Sequence, residues 1–274
     1  MQNQISSLIL TFGVADPVGA IGIQADLATF SAMGCHGLPI ITALLISDTA
    51  RIDNIQAIDV DWMADQARMI LEDMPVAAFK VGAVGSIDNI PAIAEIVSDY
   101  PDIPLILDPF STALPSQDGD DDSNLIAMRE LLIPQTTLML VSAVELNRLA
   151  ETWREPTLHD ALQSDAMHII DMGCEYLFVT GTPSATHEVV NTLFDDSGVI
   201  RRDSWQRLPG SFSGAGSTLS AAICAMLANE LDISEAVSRA QDFTLAALAH
   251  AQRLGMGKLI PNRYFWTRET GEPH

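Results

Sequence analysis

Short apolar runs closed by glycine or proline alternate along this chain with longer stretches of helical spacing. Ser7-Leu-Ile-Leu-Thr-Phe-Gly13 is the first run, and near-continuous aliphatic character is what a strand covered on both faces requires. A glycine-bearing turn from Val14 to Gly22 follows, and Ile23 to Met33 then has helical spacing and stops at Gly34. The alternation continues with strands expected over 39–45, 77–81, 103–108, 138–141 and 176–180. Between them, helices are expected over 59–73 and 90–97, from Glu145 onward, and over 158–172. His187 to Phe194 and Val199 to Leu208 alternate around Asp195-Asp-Ser-Gly198, the pattern of an antiparallel hairpin. Helices over 214–230 and 233–253 close the chain. Six apolar strands alternating with helices predict one doubly wound α/β domain, a three-layer α/β/α sandwich whose mainly parallel sheet has an antiparallel edge. No linker-like composition break or short-period repeat divides residues 1–274.

Composition sharpens this picture mainly by exclusion. The 274 residues are 48% hydrophobic but only 6% aromatic, so the expected core is large and aliphatic. Cys35, Cys174 and Cys224 are far apart, and no histidine pair has ligand spacing, which argues against a disulfide framework or a zinc site. Cys224, inside an apolar helix, is expected in the core. No basic leader opens the chain and no apolar run approaches the roughly 20 residues that span a bilayer, so a cytoplasmic location is expected. The formal charge is −22, and Lys80 and Lys258 are the only lysines. A surface this acidic repels nucleic acid and anionic membrane and excludes both as principal partners. It would suit a high-salt cytoplasm, where screening removes self-repulsion. The irregular stretch from Phe110 to Asn124, with Asp118, Asp120, Asp121 and Asp122, is expected as a solvated loop and possible lid rather than a metal site.

The candidate chemistry lies in the turns. Gly210-Ser-Phe-Ser-Gly214-Ala-Gly216-Ser217-Thr218 delivers the chain into an apolar helix, and the backbone N–H groups of Ala215, Gly216 and Ser217 would be free at its positive end. The plainer alternative is a tight turn with Ser217 or Thr218 as the N-cap. Asp16, Asp26, Ser47, Lys80, Asp108, Glu145, Thr180 and Ser217 all fall at or just past expected strand ends, where open α/β sheets bind ligands. With no GxxxxGK[ST] sequence present, these features suggest a nucleotide or phosphate site of another type.

The blocks Asp16-Pro-x-Gly-x-x-Gly22-Ile-Gln-Ala-Asp26-Leu-x-Thr-Phe-Ser-Ala-x-Gly34, Ile41-Thr-Ala-Leu44, Lys80-Val-Gly82, Leu107-Asp-Pro109 and Gly214-Ala-Gly-Ser-Thr-Leu-Ser-Ala-Ala222 occur in order. Together with the tail from Gly255 to Trp266, they resemble the hydroxymethylpyrimidine/phosphomethylpyrimidine kinases of thiamin biosynthesis, within the ribokinase-like superfamily. The resemblance implies an ATP- and Mg2+-dependent phosphotransferase, acting on the hydroxymethyl group or phosphate of an aminopyrimidine. It implies that Gly214, Ala215, Gly216 and Ser217 form the catalytic anion hole, with Ser217 at the alcohol. Asp16, Gly22, Asp26, Ser47, Lys80 and Ala83 would line the heterocycle side, and Ser142, Thr180, Gly181 and Asp108 the nucleotide side. Glu145 would stand by the metal. Relatives are often dimers, so a homodimer is expected, with the hairpin 187–208 as a possible edge.

The chain also departs from that family's pattern. Ser217 stands where relatives place Cys, or Asp in sugar-kinase cousins; Ser142 replaces an Asn, and Thr180 and Leu114 replace lysines. Ser47-Asp48 replaces a Gln-Asn pair, and Ala83 a methionine. Together these remove a base, two cations and an amide reader from one pocket. A weakly active or silent pyrimidine-binding paralogue, or a pyridoxal-type kinase, are therefore the competing expectations. Tyr264 and Trp266 are expected to anchor the tail.

Overall fold

The computed structural model describes residues 6–109, 121–155, 161–182 and 188–268. Its first strand, β1 (Leu8–Ala15), is buried along all but its two end residues, because helices cover both faces of the sheet at its centre. Strand β1 pairs in parallel with β2 (His36–Ser47) on one side and β4 (Ala78–Val81) on the other. Beyond β4 come β5 (Leu105–Leu107), β6 (Leu138–Ser142) and β7 (Tyr176–Thr182), all parallel. The hairpin of β8 (Glu188–Asp195) and β9 (Gly198–Gln206) adds two antiparallel strands, and β3 (Ile52–Ala57) closes the opposite edge antiparallel to β2. The order among the described residues is β3-β2-β1-β4-β5-β6-β7-β8-β9.

Strand alternation divides the core into two layers. Leu10 and Phe12 of β1, with Phe79 and Val81 of β4, face α2 (Val60–Asp73), α3 (Asn89–Ser98), α4 (Asp121–Leu131), α5 (Ala143–Ala150) and α6 (Leu162–Asp171). Ile9, Ala78, Ile106 and Leu140 face the opposite layer of α1 (Gly22–Ala32), α7 (Ala215–Ala228) and α8 (Ile233–Ala249). Small residues along α7, including Ala221, Ala222 and Ala225, let it lie close against the sheet and bury that face completely.

The three-layer sandwich and the hairpin edge agree with the sequence expectation. The second antiparallel edge, β3, does not: residues 47–58 look polar because β3 buries only Ile55 and exposes Asp53, Asn54 and Gln56. Asp121 to Asn124, expected as loop, open α4, where acidic residues favour a helix start. The last helix ends at Ala249 rather than Arg253. Most of the expected loop or lid, residues 110–120 with Leu114, lies outside the described residues, as does His187. All three cysteines are free and buried, with Cys224 fully in the core. Tyr264 and Trp266 do anchor the tail, through an aromatic cluster with Phe265 and Phe243 of α8. Among the described residues no helix is long and apolar enough to cross a membrane.

Candidate active site

The connections leaving β1 and β4 run to opposite sides of the sheet order, so a crevice opens at their carboxyl ends. The N-terminus of α7 faces this region. Gly214 is its N-cap at φ 90°, and a Cβ built there would lie 1.8 Å from the Ala20 carbonyl oxygen. Only glycine fits, on grounds of both conformation and space. The alternative of Ser217 or Thr218 as N-cap is replaced by this glycine cap, which carries no side-chain hydrogen bond. The first helical bond runs from the Thr218 N–H to Gly214 O at 3.0 Å, so the N–H groups of Ala215, Gly216 and Ser217 precede the ladder. Gly216 is exposed and nothing lies within 4 Å of where its Cβ would be. The helix start is therefore open to a ligand and positive in field.

Asp16 builds the turn opposite. Only 2% exposed, its carboxylate accepts the N–H groups of Val18, Ala20 and Ile21 and the Ser47 hydroxyl, the last at 2.6 Å. Gly22 starts α1 at φ 61°, with Val14 O 2.1 Å from its would-be Cβ. Between this turn and the β2–β3 connection lies a pocket lined by Asp16, Ile21, Ser47, Asp48, Ser213 and Lys258, among others. Gly257 and Lys258 reach it from the tail, because their N–H groups donate to Thr49 Oγ1 and Thr49 O. Ala83 sits apart from this pocket, against the small cluster of Val14, Ala43 and Leu45, and its carbonyl accepts from Thr42.

Beneath these turns is a polar network inside the α1–α7 layer. Lys80 is 1% exposed and Asp26 0%; the Lys80 Nζ lies 3.0 Å from Oδ1 and 3.1 Å from Oδ2 of Asp26, which also accepts from Thr11 at 2.8 Å. The two side chains are thus sealed from solvent and paired with each other rather than set on the pocket wall. Burial alone would lower the Lys80 pKa, but attraction to Asp26 and then Asp108 outweighs it and raises the value, so the ammonium stays charged. Asp108, at the end of β5, accepts a 2.6 Å bond from Ser220 of α7. Desolvation pushes its carboxyl up to about 7, against the pull of Lys80 and Ser220, and the nearby Glu145 adds to the rise.

Ser142 and Glu145 form a reciprocal capping box at the start of α5: Glu145 N–H donates to Ser142 Oγ at 3.2 Å, and Ser142 N–H to Glu145 Oε2 at 2.8 Å. Glu145 Oε1 and Asp108 Oδ1 accept no hydrogen bond from the described residues. Two hard oxygen donors suit Mg2+, which takes one or two carboxylates and keeps phosphate and water for the rest. Consistently, no group of three or more His, Cys, Asp or Glu side chains among the described residues is placed to hold a metal unaided. At the end of β7, Thr180 donates to Val141 O, while Gly181 stands at φ 65° with open space around it and its N–H on Asn191 Oδ1.

One buried cation escaped the sequence reading. Arg263, 5% exposed, donates from Nε to Thr218 Oγ1 at 3.0 Å, from Nη1 to Gly19 O at 3.1 Å and from Nη2 to Ala20 O at 2.7 Å. It ties the Asp16 turn to the first turn of α7. An arginine following Pro-Asn in an irregular tail gives no periodic cue of burial.

Comparison with known proteins adds an independent line. A phosphomethylpyrimidine kinase family profile matches residues 16–262. The chain is 30% identical over 254 residues to the hydroxymethylpyrimidine/phosphomethylpyrimidine kinase of Salmonella typhimurium, covering 92% of this chain and 94% of that protein. With the enzyme of the same description from Staphylococcus aureus (strain Mu50) it shares 24% identity, over 96% of each. Among solved structures, an ADP complex of Bacillus subtilis pyridoxal kinase superposes with a TM-score of 0.84 at 24% identity, covering 96% of this chain and all of that one. The phosphomethylpyrimidine kinase of Clostridium difficile 630 superposes at 0.73 and 24% identity, covering 89% of this chain and all of that one. At these identities the superpositions establish a shared fold.

Proposed function

Because the chain belongs to the phosphomethylpyrimidine kinase family, we propose that it transfers the terminal phosphoryl group of ATP to the hydroxymethyl group, or to the phosphate, of an aminopyrimidine. The observation that carries this reading is the glycine-capped start of α7, open at Gly216 and facing the crevice beside β1 and β4. Phosphoryl transfer asks little covalent chemistry of the protein and much positioning and charge stabilisation. The N–H groups of Ala215, Gly216 and Ser217 would hold the transferring charge. The Ser217 hydroxyl, in that same first turn, would orient the acceptor alcohol.

The heterocycle would enter the pocket between the Asp16 turn and the β2–β3 connection, where Ser47 and Asp48 offer polar contacts. Asp16 has spent its carboxylate on its own turn and on Ser47, so it shapes the wall rather than reading the ring. Asp26 and Lys80 enter the proposal as positioning groups: their buried pair braces α1 against β4 and fixes the floor on which the turns rest. Gly22 and Ala83 contribute backbone shape. On the nucleotide side, Ser142 holds Glu145 in place through the capping box, and the exposed backbone around Thr180 and Gly181 borders the crevice. Mg2+ bound by Asp108 and Glu145 would neutralise phosphate charge. A homodimer, its edge at the β8–β9 hairpin, and a cytoplasmic location complete the proposal.

Titration calorimetry with hydroxymethylpyrimidine, pyridoxal and Mg-ATP, each alone, followed by an ADP-release assay, tests it. The expected result is heat from hydroxymethylpyrimidine and from Mg-ATP, with ADP released only when both are present. ADP release with pyridoxal alone among the heterocycles would replace the substrate and keep the kinase. Heterocycle binding without nucleotide binding would overturn phosphotransfer. A Ser217→Cys variant with unchanged turnover would remove residue 217 from the chemistry.

A further inference from the structure

The guanidinium of Arg263 is buried at the back of the α7 N-terminus with no carboxylate in ion-pair range among the described residues. The two acids whose charge reaches it, Asp26 first and Asp16 after it, are committed elsewhere: Asp26 is paired with Lys80, and Asp16 directs its oxygens to three backbone N–H groups and the Ser47 hydroxyl. All three Arg263 nitrogens donate to neutral oxygens: two carbonyls of the Asp16 turn and the Thr218 hydroxyl, which itself donates to Gly214 O at 2.7 Å. Burial pulls the group's pKa down to about 10, which leaves it cationic at neutral pH. Arg154, whose side chain is 19% exposed, has by contrast a bidentate aspartate partner in Asp165. A buried charge with no ion-pair partner of its own is costly, and an arriving anion would offset that cost. Gly214 is in direct contact with it, a would-be Cβ there lying 3.0 Å from Arg263 Nη2, and Gly216 of the same first turn of α7 is exposed with nothing within 4 Å of its would-be Cβ.

We propose that Arg263 is a positioning residue whose charge, placed behind Gly214 and Thr218, is completed by the anionic phosphoryl group of a ligand seated on the N-terminal turn of α7. Resting on the phosphoryl-transfer reading above, this assigns part of the anion site's field to a residue that never touches the anion. The field at the helix start comes from the backbone and from the tail together.

The test is calorimetric titration of the full chain with inorganic pyrophosphate and with ADP, on wild type, Arg263→Lys and Arg263→Gln, each checked for folding by its unfolding transition. Arg263→Lys keeps the charge and loses the fork; Arg263→Gln keeps donors and loses the charge. The expected result is a pyrophosphate Kd at least tenfold weaker in R263Q and within about threefold of wild type in R263K, with the heterocycle Kd unchanged in both. A purely structural role would move both variants and both ligands together, and that outcome overturns the proposal, as does an R263Q Kd equal to wild type. If R263Q does not fold, Arg263→Lys alone carries the test: a pyrophosphate Kd within about threefold of wild type supports the proposal, and one weakened tenfold or more although the charge is kept overturns it. Wild type that binds neither pyrophosphate nor ADP would sink the kinase reading itself, a failure distinct from an indifferent R263Q.

Discussion

Asp108→Asn should stabilise the protein, and by an amount that grows with pH. The wild-type carboxyl has a folded-state pKa pushed up to about 7 from an ordinary value of 3.8, chiefly by burial. Between those values the unfolded chain has released a proton that the native state still holds, so the native state loses stability as pH rises and regains it on acidification. The slope approaches about 1.4 kcal/mol per pH unit inside the window. Relative to a side chain that never ionises, this costs wild type about 1.7 kcal/mol at pH 5 and about 4 kcal/mol at pH 8. Relaxation of the partly exposed rim of the site reduces the difference, so the gap between variant and wild type should widen by about 1–3 kcal/mol over that range. Asparagine keeps an acceptor for the Ser220 hydroxyl, and Lys80 keeps Asp26 as its partner; the new amide N–H donors shift the variant's stability by an amount that does not change with pH, so the widening of the gap is what reports the carboxyl. For a chain of this size the widening corresponds to roughly 2–6 °C in Tm. Urea or thermal unfolding of both proteins at pH 5, 6, 7 and 8, all above the sequence pI near 4.3, measures it. Parallel stability profiles would refute the reasoning, because they would mean that Lys80 keeps Asp108 ionised throughout.

Gly214→Ala should lower stability by about 2 kcal/mol or more and abolish pyrophosphate binding, since its Cβ meets the Ala20 carbonyl and its φ is 90°; unfolding midpoints and calorimetry read both. Lys80→Met should cost about 3–5 kcal/mol in urea unfolding by leaving Asp26 charged and buried without its partner, and a second change of Asp26→Leu should recover a good part of it. Glu145→Gln keeps the capping box and should leave Tm within about 1 °C of wild type, while the KM for Mg-ATP rises severalfold in the ADP-release assay. With a formal charge of −22, Tm should climb steadily between 0.1 and 2 M KCl; a flat response would remove the high-salt expectation.

What could be read from the sequence follows from what each residue's neighbours are. Strands β1, β4, β5, β6 and β7 announced themselves because both of their faces are covered and most of their positions are apolar. Strand β3 did not, since an edge strand with one buried side chain has no run to detect. The two glycine-led turns were legible because Gly214 and Gly22 are there for backbone reasons that glycine alone satisfies. Asp26 and Lys80 looked like pocket residues because polar groups at strand ends usually face ligand. In β4, however, Lys80 shares its face with Ala78, and that face packs on α7. Spacing along one strand cannot say which layer a face meets when both are helical. Arg263 was illegible for a similar reason: its partners are carbonyls of a turn more than two hundred residues earlier, which no local pattern encodes.

The tail that carries Lys258 and Arg263 also bears on how the protein is made. Every strand of the described sheet precedes residue 207, and α7 and α8 follow, yet residues 257–263 supply the bonds that tie the Asp16 turn to α7 and the Thr49 connection to the tail. During synthesis, the earliest segments therefore wait for the latest before either side of the crevice is fixed. A nascent chain can assemble its sheet while still attached to the ribosome, but the proposed phosphoryl site comes into being last, after the rest of the fold has been committed.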